Sequence, residues 1–113
     1  MHELGIMQSA LELAEEKARA AGGKKIHRIR LRVGALSGVA PEALRFAYEG
    51  LKMHTLASEA ELQVEESPCV YWCMDCEQEF AAPDRQFECP SCHQTKSQLR
   101  RGTELELTSL EIS

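Results

Sequence analysis

Two short segments, Cys73-Met74-Asp75-Cys76 and Cys89-Pro90-Ser91-Cys92, set the framework of this chain. Each is a Cys-x-x-Cys pair, and 12 residues separate them. Two residues between ligands let the backbone turn so that both sulfurs face one point, and two such pairs supply the four thiolates of a closed tetrahedral site. The spacing therefore predicts a structural zinc site, while a disulfide pair, a mononuclear iron site and an iron–sulfur cluster remain alternatives.

The two neighbours of these pairs that could also bind metal are Cys69 and His93. An unbridged cysteine is usually a small apolar packing group, so we expect Cys69 to be buried and not to bind the ion. We expect His93 to be a solvated side chain at the rim of the site. An odd total of five cysteines favours metal thiolates over disulfides in a reducing compartment.

The residues before the cysteines predict two helices. Apolar residues recur at steps of three and four from about residue 4 to 21, and Gly22-Gly23 supplies the stop. A second helix opens at Pro41, which suits a first turn, and should end near His54.

Alternating apolar and polar residues predict strands before and after the cysteines. From Lys25 onward, Ile29, Leu31 and Val33 share one face, and arginines share the other. Short strands follow around Leu62–Val64 and near the C-terminus. In the last strand Leu105 and Leu107 are out of phase with Leu110 and Ile112, which predicts a bulge at Thr108-Ser109. The sequence thus predicts an α+β fold, with two helices packed on a small, mostly antiparallel sheet and an inserted zinc-ribbon domain.

We expect two domains within the 113 residues. An α+β domain would comprise residues 1–66 plus 102–113, and a zinc-binding domain residues 67–101. Because the chain passes twice between them, the zinc domain could reorient when a partner binds.

Charge and hydropathy exclude several classes of function. With 13 Lys and Arg against 18 Asp and Glu, the formal net charge of -5 opposes binding to a phosphate backbone. Residues 68–101 hold five acids against four bases, so a nucleic-acid-binding zinc ribbon is the weaker hypothesis. We find no membrane-spanning segment and no signal peptide, and we expect a cytoplasmic location.

Enzymatic function is a third hypothesis, as a thiol redox protein or a metal-dependent hydrolase. Two paired motifs fill a closed metal shell, and neither a Ser-His-Asp nor a His-Glu-x-x-His arrangement is present. We therefore expect no catalysis.

The N-terminal Met1-His2-Glu3 is a second candidate metal site. The terminal amine, the His2 amide nitrogen and the His2 imidazole can form fused chelate rings around one ion, with Glu3 beside them. Nitrogen donors in a plane suit Ni(II) or Cu(II). The first helix begins at once, so these residues should have a controlled position.

As a whole, the sequence resembles the HypA/HybF family of nickel metallochaperones. Met1-His2-Glu3, the two cysteine pairs and the closing segment Leu107-Thr108-Ser109-Leu110-Glu111 carry the likeness, which extends over the full chain. The resemblance implies that Ni(II) is a transported cargo, with His2 as its main ligand beside the Met1 amine and the backbone at His2 and Glu3.

The resemblance also implies structural Zn(II) on Cys73, Cys76, Cys89 and Cys92. It implies delivery of nickel to the NiFe-hydrogenase large-subunit precursor, with a HypB-type GTPase as partner and urease accessory proteins as further partners. Some relatives use an acidic ligand from the loop after the first strand. Here residues 34–41 contain no acid, so that ligand is not expected.

Overall fold

The computed structural model describes residues 2–82 and 88–113, with His2 described in its backbone alone. Two helices and six strands follow one another in the order helix, strand, helix and five strands. Their bounds are α1 His2–Ala20, β1 Ile26–Gly34, α2 Pro41–Leu51, β2 Glu61–Ser67, β3 Val70–Cys73, β4 Gln78–Ala81, β5 Ser97–Arg101 and β6 Leu105–Ile112. The α+β class is confirmed.

The first sheet has the strand order β2-β1-β6. β1 pairs with β2 in parallel, as the crossover through α2 requires, and pairs with β6 antiparallel. Both helices cover one face of this sheet. The apolar side of α1, the inward residues of β1 and α2, and the segment before β2 form one core with 13 buried members, among them Met7, Leu11, Ile29 and Leu44.

Two bulges keep the apolar residues of this sheet on the helix side. β6 has one extra residue, Thr108, between the partners of Arg30 and Leu31. This confirms the predicted bulge. β1 has a matching extra residue, His27, between Ile26 and Arg28. Each bulge restores the inward phase of side chains that are three residues apart, and the two irregularities offset one another along the pair of strands.

The opposite face of the sheet carries rows of charge. Arg28 lies between Glu111, at 2.9 Å, and Glu61, at 3.7 Å. Arg32 lies between Glu106, at 3.2 Å, and Glu65, at 3.7 Å. Thus each row runs acid, base, acid across β2, β1 and β6. These pairs are exposed, so each contributes at most about 1 kcal/mol.

The second sheet has the order β4-β3-β5, and both of its pairings are antiparallel. A separate apolar cluster lies beside it, formed by three cysteines together with Tyr71, Phe80 and Ala82. The rings of Tyr71 and Phe80 stack with centroids 5.9 Å apart.

The chain returns from the second sheet to the first at Gly102, which packs against Gly34 at the end of β1, and we call this contact between Gly34 and Gly102 the glycine crossing. A Cβ on Gly34 would lie 2.2 Å from the Gly102 carbonyl oxygen. The backbones interlock there, because Ala35 N–H donates to Ser67 O at 2.9 Å and Leu36 N–H donates to Gly102 O at 2.6 Å. Side chains are excluded from this contact.

The loop between β1 and α2 reaches both cores. Leu36 packs against the second cluster, whereas Val39 packs against the first. One short connection therefore ties the two clusters together.

The molecule is elongated, measuring 53 × 28 × 17 Å. Its radius of gyration is 17.4 Å, whereas a single compact unit of this length has about 13 Å. The division into domains 1–66 plus 102–113 and 67–101 stays a prediction. No helix in the described ranges is long and apolar enough to cross a bilayer.

Candidate metal centre

The second sheet brings its four paired cysteines to one end. Cys73 is the last residue of β3, and Cys76 lies in the turn that leads to β4. Cys89 and Cys92 lie in the turn before β5. Because β4 and β5 both pair with β3, the two turns are held side by side.

The four sulfur atoms form a compact cluster. All of them lie within 4.8 Å of one another. Cys73 Sγ is 3.5 Å from Cys92 Sγ, and Cys76 Sγ is 3.9 Å from Cys89 Sγ. An ion with metal–sulfur bonds of about 2.3 Å places its ligands about 3.8 Å apart at the corners of a tetrahedron. The cluster therefore fits a tetrahedral ion such as zinc.

Both turns have the same backbone geometry. Glu77 N–H donates to Cys73 O at 2.9 Å, and His93 N–H donates to Cys89 O at 2.8 Å. Glu77 and His93 each follow the second cysteine of a pair and adopt left-handed φ values of 52° and 61°. This reversal closes each turn so that both of its sulfurs point inward.

Polar groups of the backbone support the sulfurs and the turns. Cys76 N–H donates to Cys73 Sγ at 3.4 Å. Cys89 N–H donates to Gln94 O at 2.9 Å. N–H···S bonds spread the charge of bound thiolates, which is what a tetrathiolate site needs.

The thiols of Cys76 and Cys89 differ in acidity in the metal-free chain. The backbone N–H groups of Cys92 and then Ser91 lower the pKa of Cys89 to about 7. In contrast, a hydrogen bond to Cys92 and then burial raise the pKa of Cys76 to about 12. Cys89 therefore ionises at lower pH than Cys76 and is the better first ligand of an incoming cation.

Burial argues for a structural site. Cys73 and Cys89 are fully buried, whereas Cys76 and Cys92 are half-buried. Four sulfurs complete a tetrahedral shell and leave no position open for water or substrate. Such a site can hold a fold together, but it offers no place for a reaction.

Cys69 and His93 are placed as the sequence indicates. Cys69 is buried in the second cluster, and the metal-ligating group does not include it. The His93 side chain is exposed, and its Nδ1 lies 3.2 Å from Glu88 Oε1.

The second candidate site, Met1-His2-Glu3, is only partly visible. Met1 and the side chain of His2 lie outside the described residues. Glu3 lies half-buried in the first turn of α1. Met7 and Leu11, both buried, anchor the following turns of α1 in the first core. The nickel ligands Met1, His2 and Glu3 stay a prediction.

Sequence reasoning missed the contacts that join the metal centre to the rest of the chain. Leu36, a single large apolar residue in a glycine-rich loop, could have indicated that this loop packs against a second apolar cluster. Gly34 and Gly102 carried no such signal, because their contact joins residues far apart in sequence.

Comparisons with known proteins match nearly the whole chain. Residues 1–112 match the family described as hydrogenase/urease nickel incorporation, metallochaperone, hypA. A hydrogenase maturation factor HypA from Picosynechococcus sp. is 40% identical over 112 residues and 99% of each chain. One of the same description from Chloroflexus aurantiacus is 41% identical over 112 residues and 98% of each chain.

Solved structures agree with the fold. The solution structure of the Ni metallochaperone HypA from Helicobacter pylori matches with a TM-score of 0.68 and 26% identity, covering 97% of this chain and 96% of that one. A second structure, titled solution structure of HypA protein, matches with a TM-score of 0.73 and 26% identity. It covers 100% of this chain and 97% of its own. Both likenesses span the two sheets.

Proposed function

Because the chain belongs to the HypA family of hydrogenase/urease nickel-incorporation metallochaperones, we propose that it binds Ni(II) at Met1-His2-Glu3 and delivers it to the NiFe-hydrogenase large-subunit precursor. It is a maturation factor and not an enzyme. The observation that carries the proposal is the family match over residues 1–112, which includes the N-terminal triplet.

Zn(II) on Cys73, Cys76, Cys89 and Cys92 would be the resident structural metal. The sulfur separations and the two matching turns support this assignment. These side chains bind the ion and exclude water from it. When bound, zinc would cross-link the two turns and would take no part in a reaction.

Nickel is the cargo, so its site needs the opposite properties. The N-terminal amine, the imidazole of His2 and amide nitrogens are exchangeable donors, whereas four thiolates would retain the ion. Glu3, which follows them in the sequence, lies in the first turn of α1. Nickel would thus leave its site more readily than zinc, because the two ions have different ligands.

The partners follow from the same family. We propose a HypB-type GTPase that assists nickel loading or release, and the large-subunit precursor as acceptor. Since the family description also names urease, urease accessory proteins form a second group of candidate partners.

The test is a nickel titration of the chain purified without an N-terminal tag. Wild type should bind nickel together with one zinc, His2→Ala should lose nickel binding and keep zinc, and His27→Ala should behave as wild type. His27 is the matched control because it is an exposed histidine outside both candidate sites. Full nickel binding by His2→Ala would refute the N-terminal site.

The zinc assignment is tested by metal analysis of cysteine variants. Cys73→Ala should purify without zinc, whereas Cys69→Ala should retain one equivalent, because Cys69 lies outside the sulfur cluster. Loss of zinc from both variants would contradict the assignment.

A further inference from the structure

An apolar groove of about 490 Å³ lies between α1 and β6. Gly5, Ile6 and Leu13 line it from α1, and Leu105 and Leu107 line it from β6. Leu13 and Leu105 on its two sides are 39% and 42% exposed. Large apolar side chains facing each other across an open groove favour a binding surface.

The groove follows an open sheet edge. β6 is the last strand of its sheet and pairs with β1 alone within the described ranges. The backbone N–H and C=O groups that β6 directs away from β1, on alternate residues, are therefore available to another strand. Strand addition at such an edge is a common mode of peptide recognition.

The charges beside this edge specify the strand that would fit. On the open face of the sheet each row ends in an acid on β6, namely Glu106 or Glu111. Residues 103–113 contain three glutamates and no lysine or arginine. A fourth strand with basic side chains on this face would continue the alternation of acid and base, and its apolar side chains would point into the groove.

A second copy of the chain is a poor fit. Antiparallel pairing of two β6 strands over their full length would place Glu106 of one copy opposite Glu111 of the other, and like charges at opposed positions destabilise a sheet. The occupant must carry the opposite charge.

We propose that β6 and the groove are the docking site for an extended segment of a partner protein in which basic and apolar side chains alternate. The groove begins at Gly5, about 5 Å along the helix axis from His2. A bound partner would therefore lie beside the start of α1. This surface does not depend on nickel binding, so its test can fail while the proposed function stands.

The probe is a fluorescein-labelled peptide of alternating lysine and valine, with blocked ends and the eight-residue length of β6. Its anisotropy is titrated with the zinc-loaded full chain. We expect saturable binding, with amide hydrogen-exchange protection in residues 105–112 and not in β2.

Two double variants test the charges. Glu106→Gln with Glu111→Gln should weaken binding about tenfold. The matched control is Glu61→Gln with Glu65→Gln, which removes the other acidic partners of the same arginines, at similar exposure, from the opposite edge. The control should bind as wild type.

Apolar contacts are tested in the same way. Leu105→Ser should weaken binding, whereas Phe46→Ser should not, because Phe46 is exposed on α2 away from the groove. A peptide of the same composition with its lysines in one block should bind poorly. Absence of saturable binding to wild type, equal weakening by both double variants, or equal binding of the block peptide would overturn the proposal.

Discussion

Cys76 and Cys89 have pKa values shifted in opposite directions, and this difference predicts a pH dependence. The pKa of Cys89 falls from 9.0 to about 7 in the folded chain, so its thiolate stabilises the metal-free fold. That contribution is complete above about pH 9 and is lost as pH falls through about 7. Cys76 has the opposite sign: its raised pKa stabilises the fold at lower pH, and the effect is lost as pH rises from 9.0 towards about 12.

The ultraviolet absorbance of thiolates in the metal-free chain should therefore show a first step near pH 7. Cys89→Ser should remove this step, whereas Cys69→Ala should retain it. A first step that survives in Cys89→Ser would contradict the assignment.

Glu77 predicts a stabilising substitution. Its φ of 52° disfavours a residue with a Cβ, whereas glycine adopts such angles without strain. Glu77→Gly should raise the free energy of unfolding of the metal-loaded chain by about 1 kcal/mol. Chemical denaturation measures this change.

The control for Glu77 is Asp75→Gly in the same turn. Asp75 is not among the described residues with positive φ, so glycine there should destabilise the chain through the entropy of the unfolded state. Equal destabilisation by the two glycine variants would count against a role for the left-handed angle.

The glycine crossing predicts opposite effects at two glycines. Gly34→Ala should destabilise the chain by more than about 2 kcal/mol, because a Cβ there meets backbone that cannot move aside easily. Gly50→Ala should stabilise it by about 1 kcal/mol, since Gly50 is in α2 with nothing within 4 Å of the added Cβ. Thermal unfolding of both variants is the measurement. Tolerance of Gly34→Ala would mean that the crossing is looser than described.

Elements with a strong local pattern could be predicted from the sequence. α1 and β1 follow apolar periodicity, and the bulge at Thr108 follows from a change of phase between Leu107 and Leu110. The same argument applies to Ile26 and Ile29, yet the bulge at His27 was not predicted. Parallel pairing of β1 and β2 was also open to prediction, because a strand, a helix and a strand in succession form a crossover.

The metal centre was predictable for a different reason. Ligand spacing within each cysteine pair is local, so four residues could be named without knowing the fold. The crossing at Gly34 and Gly102 depends on contacts that form only after both sheets exist, and no local pattern records it. The proposed nickel ligands at the N-terminus rest on the sequence pattern Met1-His2-Glu3.

The separation of the two apolar clusters predicts how the whole molecule responds to loss of metal. The first cluster contains no cysteine, whereas the second contains two of the metal-ligating set, Cys73 and Cys89, and the other two, Cys76 and Cys92, pack against it. Chelation should therefore loosen β3, β4 and β5 and leave the helices largely folded.

Trp72 makes this response measurable. It is the single tryptophan, it lies on β3, and the Arg100 guanidinium stands 4.8 Å from its ring. On chelation its fluorescence should change while helical circular dichroism persists, and added zinc should restore the fluorescence. Simultaneous loss of both signals would show that the two clusters unfold as one unit.

Val70 and Arg101 are paired partners on β3 and β5, so the folded cysteine segment begins and ends at neighbouring points. Joining the ends of a flexible segment as long as residues 70–101 costs about 3 kcal/mol in chain entropy. When the metal forms the segment first, that entropy has already been lost before β6 reaches β1. The bound ion thereby shortens the flexible part of the chain between β2 and β6. Loading with metal should therefore accelerate the pairing of β6 with β1.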